Sequence, residues 1–155
     1  MVLREKVQIG PEFSLEPYNE EKHAWKVESM KQDPELRHFL MREKGLTIIN
    51  FNEEPVGYAF FDQLHYLDDS ISITIGIDKE HRSTKEKSGI GKYAISEITK
   101  YLFNNGFCEA VVLETSPMDE RAKKMAERLD FNVDWDLTEK FYVEGYNEVP
   151  YVKRK

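Results

Sequence analysis

Between Ser70 and Leu113 the chain reads as strand, basic glycine loop, helix and strand, and few architectures accommodate that order. Ser70-Ile71-Ser72-Ile73-Thr74-Ile75-Gly76-Ile77 alternates isoleucine with small residues, which is the period of a β-strand. Gly76 has no side chain to pack and marks a bulge or a close approach by backbone or ligand. Ile90, Ala94, Ile95, Ile98 and Leu102 then recur at helical spacing, and Asn104-Asn105-Gly106 supplies a left-handed stop. Ala110 to Leu113 is a short apolar run of the kind buried on both faces of a sheet. The whole is a βαβ unit with Gly89 and Gly91 at the helix N-terminus. Unpaired backbone N–H groups and the helix dipole favour an anion there.

The loop is cationic in an acidic protein. Arg82, Lys85, Lys87 and Lys92 face only one acid, Glu86, whereas the whole chain carries a net charge of −7. That contrast points to a small polyanionic ligand rather than to nucleic acid; the plain alternative is a solvated loop. A P-loop requires a glycine where Glu86 stands and Ser or Thr where Tyr93 stands, so it is excluded. Gly89-x-Gly91-x-x-Ala94 satisfies the dinucleotide fingerprint formally. In that motif, however, the glycines follow the strand directly and an acid ends the second strand; here a long loop intervenes and Glu109 precedes the strand.

The rest of the chain is of one domain's length, 1–155, with 40% apolar residues and no long apolar run, so the sequence suggests neither a membrane span nor a secretion signal. The single cysteine, Cys108, excludes an internal disulfide and fits the reducing cytoplasm. His23, His38, His65 and His81 show no metal-ligand spacing, and no metal is expected. Phe13–Leu15 reads as a strand, Asn19 or Glu20 to Met30 as a helix with Ala24, Val27 and Met30 inward, and Asp33-Pro34 as the start of a second helix. Leu46–Phe51 and Val56–Phe61 form a hairpin. Ser116-Pro117 opens a further helix with serine as its cap, and strands are expected at Phe131–Asp136, Phe141–Val143 and Val149–Val152.

Ile75 to Arg82 followed by Gly89-Ile90-Gly91-Lys92 resembles motif A of the GNAT superfamily of acyl-CoA-dependent N-acyltransferases, whose pattern is (Gln/Arg)-x-x-Gly-x-(Gly/Ala). Glu86 occupies the Gln/Arg position, and which of Arg82, Lys85 and Lys87 replaces that cation is open. Asp119 to Phe131 is similar to the superfamily's Asn-x-x-Ala-x-x-x-Tyr-x-x-x-Gly-Phe. Ala122 and Phe131 match, Asp119 stands for the cofactor-contacting Asn, Asp130 for Gly, and Ala126 for the Tyr that donates a proton. Leu113-Glu114 resembles the Leu-Glu of the ribosomal-protein N-acetyltransferases.

The resemblance implies an α+β fold with a mixed, mostly antiparallel sheet of about 6–7 strands, a parallel pair splayed at the cofactor cleft and about 4 flanking helices. It implies acetyl-CoA as acyl donor, with Lys87, Ser88, Gly89, Ile90, Gly91 and Lys92 around the pyrophosphate. The backbone of Ile75 and Ile77 would lie along the pantetheine arm, and Arg82 and Asp119 would also contact the cofactor. Glu114 would serve as the base that takes a proton from an amine; its bland alternative is a structural pairing with a lysine. Tyr93, Tyr142 and Tyr146 are candidate substitutes for the missing donor. The acidity outside the loop points to a cationic amine, small molecule or peptide, as acceptor, without nucleic acid or membrane as partner and with a homodimer left open. An acyl-CoA-binding sensor of the same fold without catalysis is the alternative.

Overall fold

The computed structural model describes residues 3–41, 44–82 and 89–155. The chain forms two compact units, one containing residues up to 60 together with 75–98, the other residues 61–74 together with 99–155.

In the first unit, β1 (Val7–Gln8), β2 (Phe13–Pro17), β3 (Thr47–Phe51) and the start of β4 (Glu54–Gln63) pair in order, with β1–β2–β3–β4 antiparallel throughout. The β3–β4 turn is only two residues, Asn52 and Glu53, both at positive φ (49° and 68°), which is the type I′ geometry that matches strand twist. A register shift between Ile49 and Asn50 makes room for Pro55, a residue that cannot donate to a regular ladder. Asn19 caps α1 (Glu20–Met30) by accepting from the Lys22 N–H, and Asp33 caps α2 (Pro34–Leu40) by accepting from Glu35. The two helices place Val27, Met30, Leu36 and Leu40 in one apolar cluster with Ile48, Tyr58 and Phe60. His23, rather than the expected Ala24, is the residue α1 buries completely. Its Nδ1 accepts from the Asn19 N–H (2.9 Å), which leaves the proton on Nε2 to be donated to Glu16 (3.1 Å).

The second unit contains β6 (Ala110–Thr115), α4 (Glu120–Arg128), β7 (Asn132–Val133), α5 (Trp135–Val143) and β8 (Val149–Arg154). β5 (Ser70–Ile77) runs parallel to β6 over Ser70–Ser72 and Ala110–Val112, and the register ends there although both strands continue. β8 pairs antiparallel with all six residues of β6. The strand order is β1-β2-β3-β4-β5-β6-β8-β7. The chain passes from one unit to the other inside β4, inside β5 and inside α3 (Gly91–Asn104). Cys108 is buried just before β6, at 2% exposure. Among the described residues no helix is long and apolar enough to cross a membrane.

Three expectations need correction. Among the described residues the sheet has eight strands instead of 6–7, because the short β1 adds to its edge. The described residues form five α-helices instead of four, because Trp135–Val143 is helical where strands were expected up to Asp136 and from Phe141 to Val143. Asp134 caps this helix by accepting from the Leu137 N–H (2.9 Å), and Leu137 and Phe141, four residues apart, reach one cluster with Ala110, Val112 and Val152. Asp119, and not Ser116, caps α4, accepting from Ala122 N–H at 3.0 Å, while Ser116 Oγ closes the preceding turn on Met118 N–H. Asp130 ends α4 at φ 64°, so an aspartate takes the left-handed position that the superfamily's pattern gives to glycine.

Candidate active site

The first unit holds the end of β5, Gly89 to Lys92 and Arg82, which are the described members of the expected cofactor site. β5 ends at Ile77, a 3₁₀ turn follows over Lys79–His81, and the Ile90 N–H returns to the His81 carbonyl at 3.0 Å. Ile75 is half-buried and Ile77 is buried. Gly89 and Ile90 lead into α3, whose first residue is Gly91. Lys92 keeps its Nζ 4.9 Å over the Tyr93 ring. Lys87 and Ser88, with the neighbouring Lys85 and Glu86, lie outside the described residues.

Gly91 tests whether this cradle suits a phosphate. Its φ is not positive, and among the described residues an added Cβ would meet only Ile77 Cγ1, at an ordinary 3.7 Å. Among the described residues, then, neither backbone conformation nor a close neighbour calls for glycine here. What a missing Cβ provides is close approach of a ligand to backbone N–H groups at a helix N-terminus. Arg82 has another occupation: its guanidinium donates to Asp33, the α2 cap, and to Glu35 at 2.5 Å, while its Nε is buried without a partner among the described residues.

The second unit holds Glu114 and Asp119. Glu114 is the penultimate residue of β6, opposite Pro150 of β8, and its side chain reaches the surface. Its carboxyl pKa lies above the usual range. Partial desolvation is the main cause and repulsion from Glu148 the next; a hydrogen bond from the Ser72 hydroxyl opposes them, and Asp62 adds to the rise. Asp119 spends one carboxylate oxygen on the α4 cap. Ala126 is fully buried, and Tyr93, Tyr142 and Tyr146 are all more than half exposed. Sequence reasoning missed Tyr58, whose hydroxyl is buried without a partner among the described residues, and Glu148 beside Glu114. Gly76 was the available signal for the first, because its absent side chain makes room for the Tyr58 ring.

The profile of the Acetyltransferase (GNAT) family matches residues 11–131. The chain belongs to this family. It is an acetyltransferase of the α+β fold expected above, and acetyl-CoA is its acyl donor. A search among curated proteins found no match. Among solved structures, the ribosomal L7/L12 α-N-protein acetyltransferase RimL in complex with coenzyme A shares 12% identity with a TM-score of 0.65, covering 97% of this chain and 98% of that one. The microcin C7 self-immunity acetyltransferase MccE, in complex with acetyl-CoA and AMP, gives 12% identity and a TM-score of 0.68 over 96% of each chain. The dodecameric spermidine N-acetyltransferase from Vibrio cholerae gives 13% identity and a TM-score of 0.64, covering 94% of this chain and 95% of that one. At these identities the structural likeness establishes the fold.

Proposed function

We propose that this acetyltransferase acts on a cationic primary amine, of a small molecule or a peptide, with Glu114 as the base that accepts the amine proton. The observation that carries the reading is the electrostatic setting of Glu114. Its partly desolvated carboxyl at the end of β6 has Glu148 and Asp62 for neighbours, and all three favour an incoming cation. A carboxyl whose pKa is raised toward neutrality is also a better proton acceptor from an ammonium-derived amine. The Ser72 hydroxyl, buried on β5, orients that carboxylate.

Acetyl-CoA supplies an acetyl group already activated as a thioester. Lys87, Ser88, Gly89, Ile90, Gly91 and Lys92 would hold its pyrophosphate, the backbone of Ile75 and Ile77 would pair with its extended arm in the manner of an added strand, and Arg82 and Asp119 would complete the contacts. The missing Cβ at Gly91 supports the phosphate assignment. The chain works in the cytoplasm in this reading, supported by its single buried cysteine; a homodimer is left open, and sedimentation is its direct test.

The test is a screen of acetyl-CoA turnover against polyamines, aminoglycosides and peptides with free N-termini, in the wild type and in Glu114→Gln. Expected is turnover with a cationic amine that falls by about 10²-fold or more in the variant. A neutral or anionic best acceptor, or a variant of normal rate, would overturn the reading.

A further inference from the structure

Three buried side-chain polar atoms lack a hydrogen-bond partner among the described residues: Asn50 Oδ1, Arg82 Nε and the Tyr58 hydroxyl. Asn50 and Arg82 bond through their other atoms. For Tyr58 the hydroxyl is the only polar atom of the side chain, and the residue is fully buried. A buried tyrosine hydroxyl normally finds a partner, and leaving one unmade weakens the fold. An orphan of this kind is what a ligand-contacting group looks like before its ligand arrives.

Its position names the ligand. The ring lies across Gly76, so that a Cβ built on Gly76 would stand 2.6 Å from the hydroxyl oxygen. Gly76 sits between Ile75 and Ile77, the segment assigned above to the acyl-CoA arm. We propose that the Tyr58 hydroxyl donates a hydrogen bond to a carbonyl oxygen of the acyl-pantetheine arm as it passes Gly76. The proposal rests on the reading of Ile75–Ile77 given under Proposed function. A neutral carbonyl suits the surroundings better than a phosphate. Burial raises the hydroxyl's pKa well above the ordinary tyrosine range, and Asp33 raises it further against the opposing effect of Arg82. The group therefore keeps its proton, and the Asp33 carboxylate disfavours an anion beside it. Two carbonyls of the arm share this chemistry, the thioester and the pantetheine amides. If the thioester is the partner, the donor faces an oxygen on which charge grows during acyl transfer.

The experiment compares wild type with Tyr58→Phe by thermal melting without ligand and by calorimetric titration with acetyl-CoA and with coenzyme A. The proposal expects an unliganded melting temperature equal to or above that of the wild type, because a strained orphan has been removed. It expects acetyl-CoA affinity to fall by about tenfold, one hydrogen bond's worth. An equal loss for coenzyme A assigns the amide; a loss confined to acetyl-CoA assigns the thioester. Unchanged affinity for both ligands overturns the proposal. So does a variant that melts lower or fails to fold, because the hydroxyl would then serve the fold itself. A wild type that binds neither ligand overturns the acyl-CoA reading as a whole, an outcome distinct from failure of the variant alone.

Discussion

The Arg82 guanidinium donates to Glu35 at 2.5 Å and to Asp33, so a cation expected at the cofactor is tied to the first turn of α2. If Arg82 contacts phosphate, these carboxylates compete for it. An exposed ion pair of this type is worth about 0.2–1 kcal/mol. Glu35→Gln, which spares the Asp33 cap, should therefore tighten acetyl-CoA binding by roughly two- to fivefold. Titration calorimetry checks it, and unchanged affinity would assign Arg82 to the fold alone.

Gly91→Ala should separate folding from binding. Among the described residues a Cβ meets only Ile77, and alanine in place of glycine in a helix adds about 0.5–1 kcal/mol of stability. The variant should melt at or above the wild-type temperature while losing acetyl-CoA affinity severalfold. Equal affinity would show that the phosphates do not approach this backbone.

Most of the architecture was legible from hydrophobic period and caps. The isoleucine alternation placed β5, Asn19 and Asp33 announced α1 and α2, and Gly106 closed α3 at φ 68°. What failed was local. Phe131 to Val143 is rich in β-favouring residues, yet the Asp134 cap and the four-residue spacing of Leu137 and Phe141 decide for helix. The proposed cofactor site rests on glycine and charge that the sequence displays from Arg82 to Lys92. Tyr58 was not legible, because only strand pairing brings it over Gly76, eighteen positions away.

If Glu114 is the base, it links activity to stability with opposite signs. Its raised pKa means that the ionised carboxyl opposes folding, so its favourable contribution is present below the unfolded value, near pH 4.3, and is lost as pH rises through the folded one. Glu114→Gln should therefore gain melting temperature relative to wild type at neutral pH, and this gain should vanish in acid. Turnover should fall over the same series. Parallel loss of both properties would mean that Glu114 is a structural partner.

Glu16 behaves in the reverse way. Burial pushes its carboxyl up, but hydrogen bonds from Lys22, Asn50 and His23 outweigh that and hold it at about 2. Its contribution is complete above the unfolded value and disappears as pH falls through the folded one. Glu16→Gln should destabilise the protein at pH 7 and match wild type near pH 2. Chemical denaturation across that window checks the convergence.

The placement of Cys108 has a practical consequence. The only thiol of the chain is buried at 2% exposure, and burial together with Asp69 raises its pKa, so little thiolate is available to an electrophile. Disulfide reagents that report free thiol in solution should therefore see each coenzyme A released by the native protein and almost nothing of the protein itself. In denaturant the same reagent should count one equivalent per chain, which makes the lone cysteine a clock for global opening.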